Sequence, residues 1–356
     1  LGWLTYQVRE EDGVDGKHVK WLVGKITDNP KYWSTKLSEK PLIALEDFDG
    51  KGKPRRLGKN HTCAAGKMYF GSESKITLPV IMIPKKVWTK LSETDIHEFQ
   101  QNGVIVLRGV FTEWIESLRK GVEHNMADPG EFSKNYTTEG DGGNFFGDYC
   151  NWARIPEYRS FFFDSPAGEM AAELMQSQTV RIFHEHVLVK EPGTSNPTPW
   201  HHDQPYYCVD GKQVVSFWIP LDTVPQATCP EFISGSHAWG KWFLPRKFSG
   251  VDYNYTEEWL EPIPDIENQR EQYDIRSWDL EPGDAIAFHY LTVHGAPPNK
   301  SKKLRRRGFA ARWLGDDTTY AQRSGDISPP FPGLEKRLKV GDPLDTDEFP
   351  QVWPRN

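Results

Sequence analysis

The chain has 356 residues, 37% hydrophobic and 26% charged, with a formal net charge of -7 and 14 Trp, 13 Tyr and 19 Phe. That is enough apolar mass for one large domain, or a domain with an extension, and it excludes a disordered or low-complexity chain. The acidic balance excludes a general nucleic-acid binder, and no window approaches the roughly 18 apolar residues that a membrane span needs.

Cys63, Cys150, Cys208 and Cys229 are scattered, without a CxxC pair. They read as reduced thiols, and no charged-then-apolar leader opens the chain, so a cytoplasmic location is expected. Residues 1–85 read as an extension with β-like runs at Trp3–Val8 and Val19–Ile26 around a basic stretch, Gly50 to Arg56, that reads as a solvated loop. From residue 86 the pattern changes. Ser92 and Asp95 form a capping-box signature, Ile96 and Phe99 follow at helical spacing, and Asn102-Gly103 supplies a stop. Val104–Leu107 reads as a buried strand, and Thr112 is placed to cap a second helix carrying Trp114, Ile115 and Leu118. Strands are then expected at 180–189, 214–221, 285–288 and 308–314, divided by Pro and Gly turns. Strands without intervening helices predict a mainly β architecture with flanking helices, a double-stranded β-helix or jelly roll, over residues 86–325. Residues 326–356 are expected to pack on it as a tail.

The candidate chemistry begins at Trp200-His201-His202-Asp203. On a strand, His201 and Asp203 point to the same face, roughly 7 Å apart at about 3.3 Å per residue. A third ligand from His294 completes two imidazoles and one carboxylate, a donor set that suits Fe(II) and leaves positions open. His289 is the internal competitor of His294, and its place inside a strand favours a structural role.

Four elements then line up in order: Trp200 to Tyr206, Ser216 to Asp222, Phe232-Ile233-Ser234-Gly235-Ser236-His237, and Gly283 to His289 running into His294-Gly295-Ala296. Over roughly residues 90 to 320 this set resembles the phytanoyl-CoA dioxygenase family of Fe(II) and 2-oxoglutarate dependent oxygenases. The resemblance implies Fe(II) on His201, Asp203 and His294, with 2-oxoglutarate as co-substrate and O2. The family's arginine for the distal carboxylate follows the distal histidine by eleven residues, which lands on Arg305; Arg307 is the rival, and strand alternation turns Arg306 to the opposite face. The family also implies His186 and Trp218 as neighbours of the co-substrate, with His184, His186 and Lys190 on one strand face. Two departures stand out. Ala296 replaces a frequent serine, and Ala227 to Glu231 replaces a Gly-containing turn.

The resemblance implies a hydroxylase acting on a small-molecule or acyl-type substrate, with succinate and CO2 as co-products. Asp203 favours hydroxylation over halogenation, because halogenating relatives lack this carboxylate. No protein acid or base is named. The aromatic stretches Asn144 to Tyr149 and Arg159 to Phe163, with Tyr206 and Tyr207, are candidates for an apolar pocket, and Lys300, Lys302 and Lys303 for charge at its mouth. The alternatives are a non-catalytic metal-binding jelly-roll protein and a related oxygenase with another oxidative outcome, desaturation or cyclisation, on a natural-product intermediate; a zinc hydrolase is a further competing class. Oligomeric state is left open.

Overall fold

The computed structural model describes residues 90–355 apart from 138, 247–253 and 300, together with the backbone of four strands nearer the N-terminus. The chain divides into compact units at Leu1–Val87 and Trp88–Asn356. In the first, β1 (Trp3–Asp12) pairs antiparallel with β2 (His18–Thr27), and β3 (Lys67–Phe70) with β4 (Ser74–Thr77). The basic stretch from Gly50 to Arg56 lies outside the described residues.

The second unit opens with α1 (Glu93–Asn102). Its capping box is formed: the Asp95 N–H donates to the Ser92 hydroxyl at 3.1 Å, and the Ser92 N–H to the Asp95 carboxylate at 3.0 Å. Gly103 ends it in the left-handed region, at φ 69°. After β5 (Val104–Leu107), Thr112 departs from expectation: its hydroxyl donates back to the Gly109 carbonyl at 2.9 Å instead of capping α2 (Ile115–Ala127). Gly283 packs against Thr112, and its carbonyl takes the Phe111 N–H at 2.8 Å, so this turn is set by a tertiary contact.

Further along the chain come β6 (Lys134–Asn135), β7 (Phe145–Tyr149), α3 (Pro156–Asp164), α4 (Ala167–Met175), β8 (Val180–Lys190), β9 (Thr198–His201), β10 (Val209–Asp210), β11 (Val214–Pro220), β12 (Glu231–Ile233) and β13 (Ile275–Arg276). The last elements are β14 (Ala285–Phe288), β15 (His294–Ala296), β16 (Arg306–Leu314), β17 (Thr319–Tyr320), α5 (Leu334–Arg337) and β18 (Gln351–Trp353). Antiparallel pairing builds a large sheet in the order β5-β14-β11-β16-β8-β7-β6, with β18 added to β8, and a smaller one in the order β13-β12-β15-β9. This is the jelly roll.

The helices cover one face of the large sheet. Leu118, Phe161, Phe162, Met170 and Leu174 meet Val187, Val215, Phe217, Phe309 and Trp313 in one buried cluster. Burying each such side chain stabilises the fold by about 1.5–3 kcal/mol. Period-two alternation then turns Trp218 on β11 and Arg306, Ala310 and Arg312 on β16 to the opposite face, where they line a cavity. On β8 a bulge resets the phase. Arg312 pairs with His184 and Trp313 with Ile182, leaving Phe183 unopposed. Ile182 therefore faces the helices while His184, His186, Leu188 and Lys190 face the cavity.

Candidate metal centre and its cavity

The cavity holds about 840 Å³. β9 ends on His201, β15 begins on His294, and the two residues are direct cross-strand partners with ring centres 4.3 Å apart. Asp203 is not on the strand. It sits in helical backbone at the entry to the turn Gln204–Tyr206, fixed by its own N–H donating to the Tyr290 carbonyl at 2.8 Å. The carboxylate still reaches the imidazoles: Oδ1 lies 3.5 Å from Nε2 of His201 and 3.9 Å from Nε2 of His294. One donor atom from each of the three residues fits within 4.8 Å.

The protonation states suit a cation. Nδ1 of His201 lies 2.8 Å from the Pro199 carbonyl, and Nδ1 of His294 lies 2.9 Å from that of Thr292. A carbonyl only accepts, so each Nδ1 carries a proton and each Nε2 is turned to the centre. Burial, with His201 alongside, pushes His294 down to about 3. Burial alone would raise the Asp203 carboxyl, but Arg312 and the two histidines outweigh it and hold it well below the carboxylate range. Two imidazoles and an ionised carboxylate on one side, with cavity on the other, are the donor set of a non-haem Fe(II) site.

Around this set, the Tyr206 hydroxyl donates to Asp203 Oδ1, and the Arg312 guanidinium lies 3.4 Å from Oδ2. His202 points away and accepts the Phe243 N–H at 2.8 Å. His289 is structural, its Nε2 donating to the Lys212 carbonyl at 3.0 Å while Nδ1 accepts the Leu291 N–H at 3.0 Å.

Of the three consecutive arginines, the cavity takes Arg306. β16 begins there, two residues before the expected Gly308, and alternation carries Arg306 inward with Ala310 and Arg312. Arg305 and Arg307 do not line the cavity. Arg305 binds Glu191 at 2.6 Å and Glu123 at 2.9 Å, and Arg307 binds Asp222 at 2.6 Å and Glu123 at 3.0 Å. Arg306 is buried and donates to the carbonyls of Thr228, in the atypical turn, and Pro297. The alternation visible in the sequence had already set Arg306 apart from its neighbours; what the sequence lacked was which face was the inner one. Lys190 lies on the same wall, donating to the Asn196 carbonyl at 2.8 Å over the Phe145 ring. Burial and the charge of Arg306 push it down to about 6.

His186 and Trp218 both line the cavity. His186 stands opposite Ala310 and packs edge-on against Tyr149 at 5.3 Å, and burial pushes it down to about 3. Trp218 lies against Gly308, where a Cβ would fall 2.5 Å from the indole nitrogen. Tyr149, Tyr206 and Tyr207 contribute walls, whereas Phe161 and Phe162 belong to the helix-covered core. Lys302 and Lys303 are exposed away from the cavity, and Lys300 lies outside the described residues. Residues 325–330 close part of the wall, a contribution for which the sequence carried no signal. Among the described residues no helix is long and apolar enough to cross a membrane.

The model of the family Phytanoyl-CoA dioxygenase (PhyH) matches residues 99–308. Among solved structures, the non-heme alpha ketoglutarate dependent carbocyclase SnoK from nogalamycin biosynthesis is similar, with 22% identity, 74% of this chain and 96% of that one covered, and a TM-score of 0.58. The epimerase SnoN, in complex with Fe3+, alpha ketoglutarate and nogalamycin RO, gives 21% identity, coverage of 73% and 98%, and a TM-score of 0.58. EctD from S. alaskensis, with 2-oxoglutarate and 5-hydroxyectoine, gives 18% identity, coverage of 71% and 85%, and a TM-score of 0.52. At such identities the likeness is one of fold. No curated protein sequence matches the chain. With the family model matched over more than half of its length, the chain belongs to the phytanoyl-CoA dioxygenase family, and is a 2-oxoglutarate-dependent non-haem iron oxygenase.

Proposed function

We propose that the chain hydroxylates an unactivated C–H bond of a small organic molecule, consuming O2 and 2-oxoglutarate and releasing succinate and CO2. One oxygen atom enters the substrate and the other enters succinate. The observation that carries this reading is the convergence of His201, Asp203 and His294 at a cavity whose wall also holds a buried arginine. Iron(II) on these three residues supplies the redox chemistry that couples decarboxylation of the co-substrate to oxidation of the C–H bond.

The chain's own groups bind and orient. Arg306, with Lys190 beside it, supplies the cationic end for the distal carboxylate of 2-oxoglutarate, in place of the expected Arg305. Trp218 and His186 border that co-substrate. Asp203 keeps its position filled with a carboxylate, which supports hydroxylation against halogenation. A cavity of about 840 Å³ walled by Tyr136, Tyr149, Tyr207, Phe232 and Phe288 supports a compact, largely apolar substrate and excludes bulk water around it.

The test is succinate formation by protein supplied with Fe(II), ascorbate and 2-oxoglutarate against a panel of small molecules and acyl thioesters. A hit that gains one oxygen atom by mass establishes hydroxylation; loss of two hydrogens or an isomeric product assigns another oxidative outcome. Turnover that survives unchanged in both His201→Ala and Asp203→Ala sinks the ligand assignment.

A further inference from the structure

The two oxygens of Asp203 have different surroundings. Oδ1 faces the imidazole Nε2 atoms and accepts the Tyr206 hydroxyl. Oδ2 faces Arg312, whose Nε and Nη2 are each 3.4 Å away. Arg312 is buried, and among the described residues Asp203 is its only hydrogen-bond acceptor and only carboxylate partner. Among the described residues Nη1 has no partner, and the guanidinium carbon lies 5.8 Å from the centre of the Tyr207 ring. Two other arginines with little exposure spread their donors. Arg306 reaches two carbonyls, and Arg323 reaches those of Tyr207 and Val209 and the Asp210 carboxylate. A buried guanidinium is costly to desolvate, and one that directs its donors at a single oxygen satisfies little else. Its position is accounted for by that oxygen.

Resting on the reading that His201, Asp203 and His294 hold the iron, we propose that Arg312 is a positioning residue that holds Oδ2 of Asp203 away from the metal, so that the carboxylate ligates through Oδ1 alone. The coordination count shows why this matters. An octahedral ion has six positions, and three single-atom protein ligands leave three. A two-oxygen chelate by 2-oxoglutarate would take two and leave one for O2. A carboxylate bound through both oxygens takes one of those three, and the chelate and O2 then compete for the remainder. Arg312 also cancels the charge of Asp203, which leaves the metal centre more positive and better matched to a dianionic co-substrate.

The test uses full-length protein loaded with Co(II), whose visible ligand-field spectrum reports coordination number, and calorimetry of 2-oxoglutarate binding to the Mn(II)-loaded form. Arg312→Met is expected to change the Co(II) spectrum before any co-substrate is added and to weaken 2-oxoglutarate binding at least tenfold. Arg306→Met is expected to weaken 2-oxoglutarate binding while leaving the Co(II) spectrum as in the wild type. An unchanged spectrum and affinity in Arg312→Met overturn the proposal. Should that variant fail to fold, Arg312→Lys carries the test: one ammonium cannot hold Oδ2 from two nitrogens, so a smaller change of the same kind is expected, and a wild-type spectrum overturns the idea. Wild-type protein that takes up no Co(II), or an Asp203→Ala variant with the wild-type spectrum, removes the metal-site reading itself and is distinguishable from failure of the role of Arg312.

Discussion

At the scale of single residues, the three adjacent arginines give the sharpest contrast. Arg305 is bound on both sides by exposed or half-exposed carboxylates, whereas Arg306 is buried in the cavity wall. Removing the cation that holds a carboxylate costs about 1.5–3 kcal/mol, so Arg306→Ala should raise the KM for 2-oxoglutarate roughly 10- to 100-fold. Arg305→Ala should change it less than about twofold. Steady-state succinate assays separate the two, and equal effects would show that Arg306 has no special claim on the co-substrate. Lys190 adds a pH dependence. With its ammonium pushed down to about 6 by burial and Arg306, the side chain is mostly neutral at pH 7.5 in the free protein. A dianion bound beside it favours the charged form, so binding takes up a proton, and the contribution of Lys190 to affinity is full below about pH 6 and falls as pH rises. Calorimetry at pH 7.5 in buffers of different ionisation enthalpy should show proton uptake that vanishes in Lys190→Met; buffer-independent heats in the wild type would exclude it.

At the scale of elements, the site depends on where each strand starts and on which face it turns inward. Gly308 sits between Arg306 and Ala310, with the Trp218 indole over it. Gly308→Val should displace Trp218 and lower 2-oxoglutarate affinity about tenfold or more, because overpacking a tight contact costs about 1–3 kcal/mol. Wild-type affinity together with a wild-type tryptophan fluorescence spectrum would show that the wall tolerates the change. The histidine-acid-histidine set was legible through the motifs shared with the family, although Asp203 lies off the strand that local spacing predicted and His294 comes from a distant strand. The capping box of α1 and the strand at 285–288 were legible because local spacing and turn chemistry specify them. Arg306 was not, since choosing between two faces of a strand needs the packing of its neighbours. Nor was the bulge at Phe183, which changes the facing of β8 through a register shift against β16. Thr112 departs from the expected cap because a tertiary contact from Gly283 outranks a good local signal.

At the scale of the whole molecule, the C-terminal segment belongs to the site as much as to the fold. Residues 325–330 line the cavity, and beyond them Leu334, Leu344 and Phe349 bury against Phe183, Tyr207 and Tyr290, behind the turn that carries Asp203. β18 then pairs with the first residues of β8, just ahead of the bulge that aims His184 and His186 inward. Each large apolar side chain contributes about 1.5–3 kcal/mol through burial, and four of them, counting Val352, approach the whole stability of an ordinary domain, about 5–15 kcal/mol. A chain ending at residue 325 should therefore lose cooperative thermal unfolding and all metal binding. Phe349→Ala, which leaves β18 in place, should cost about 3–5 kcal/mol, keep the metal site and lower the melting temperature. Scanning calorimetry with a Co(II) titration checks both, and a shortened chain that melts cooperatively and binds Co(II) as tightly as the full one would show that β8 and the turn at Asp203 hold their places without that support.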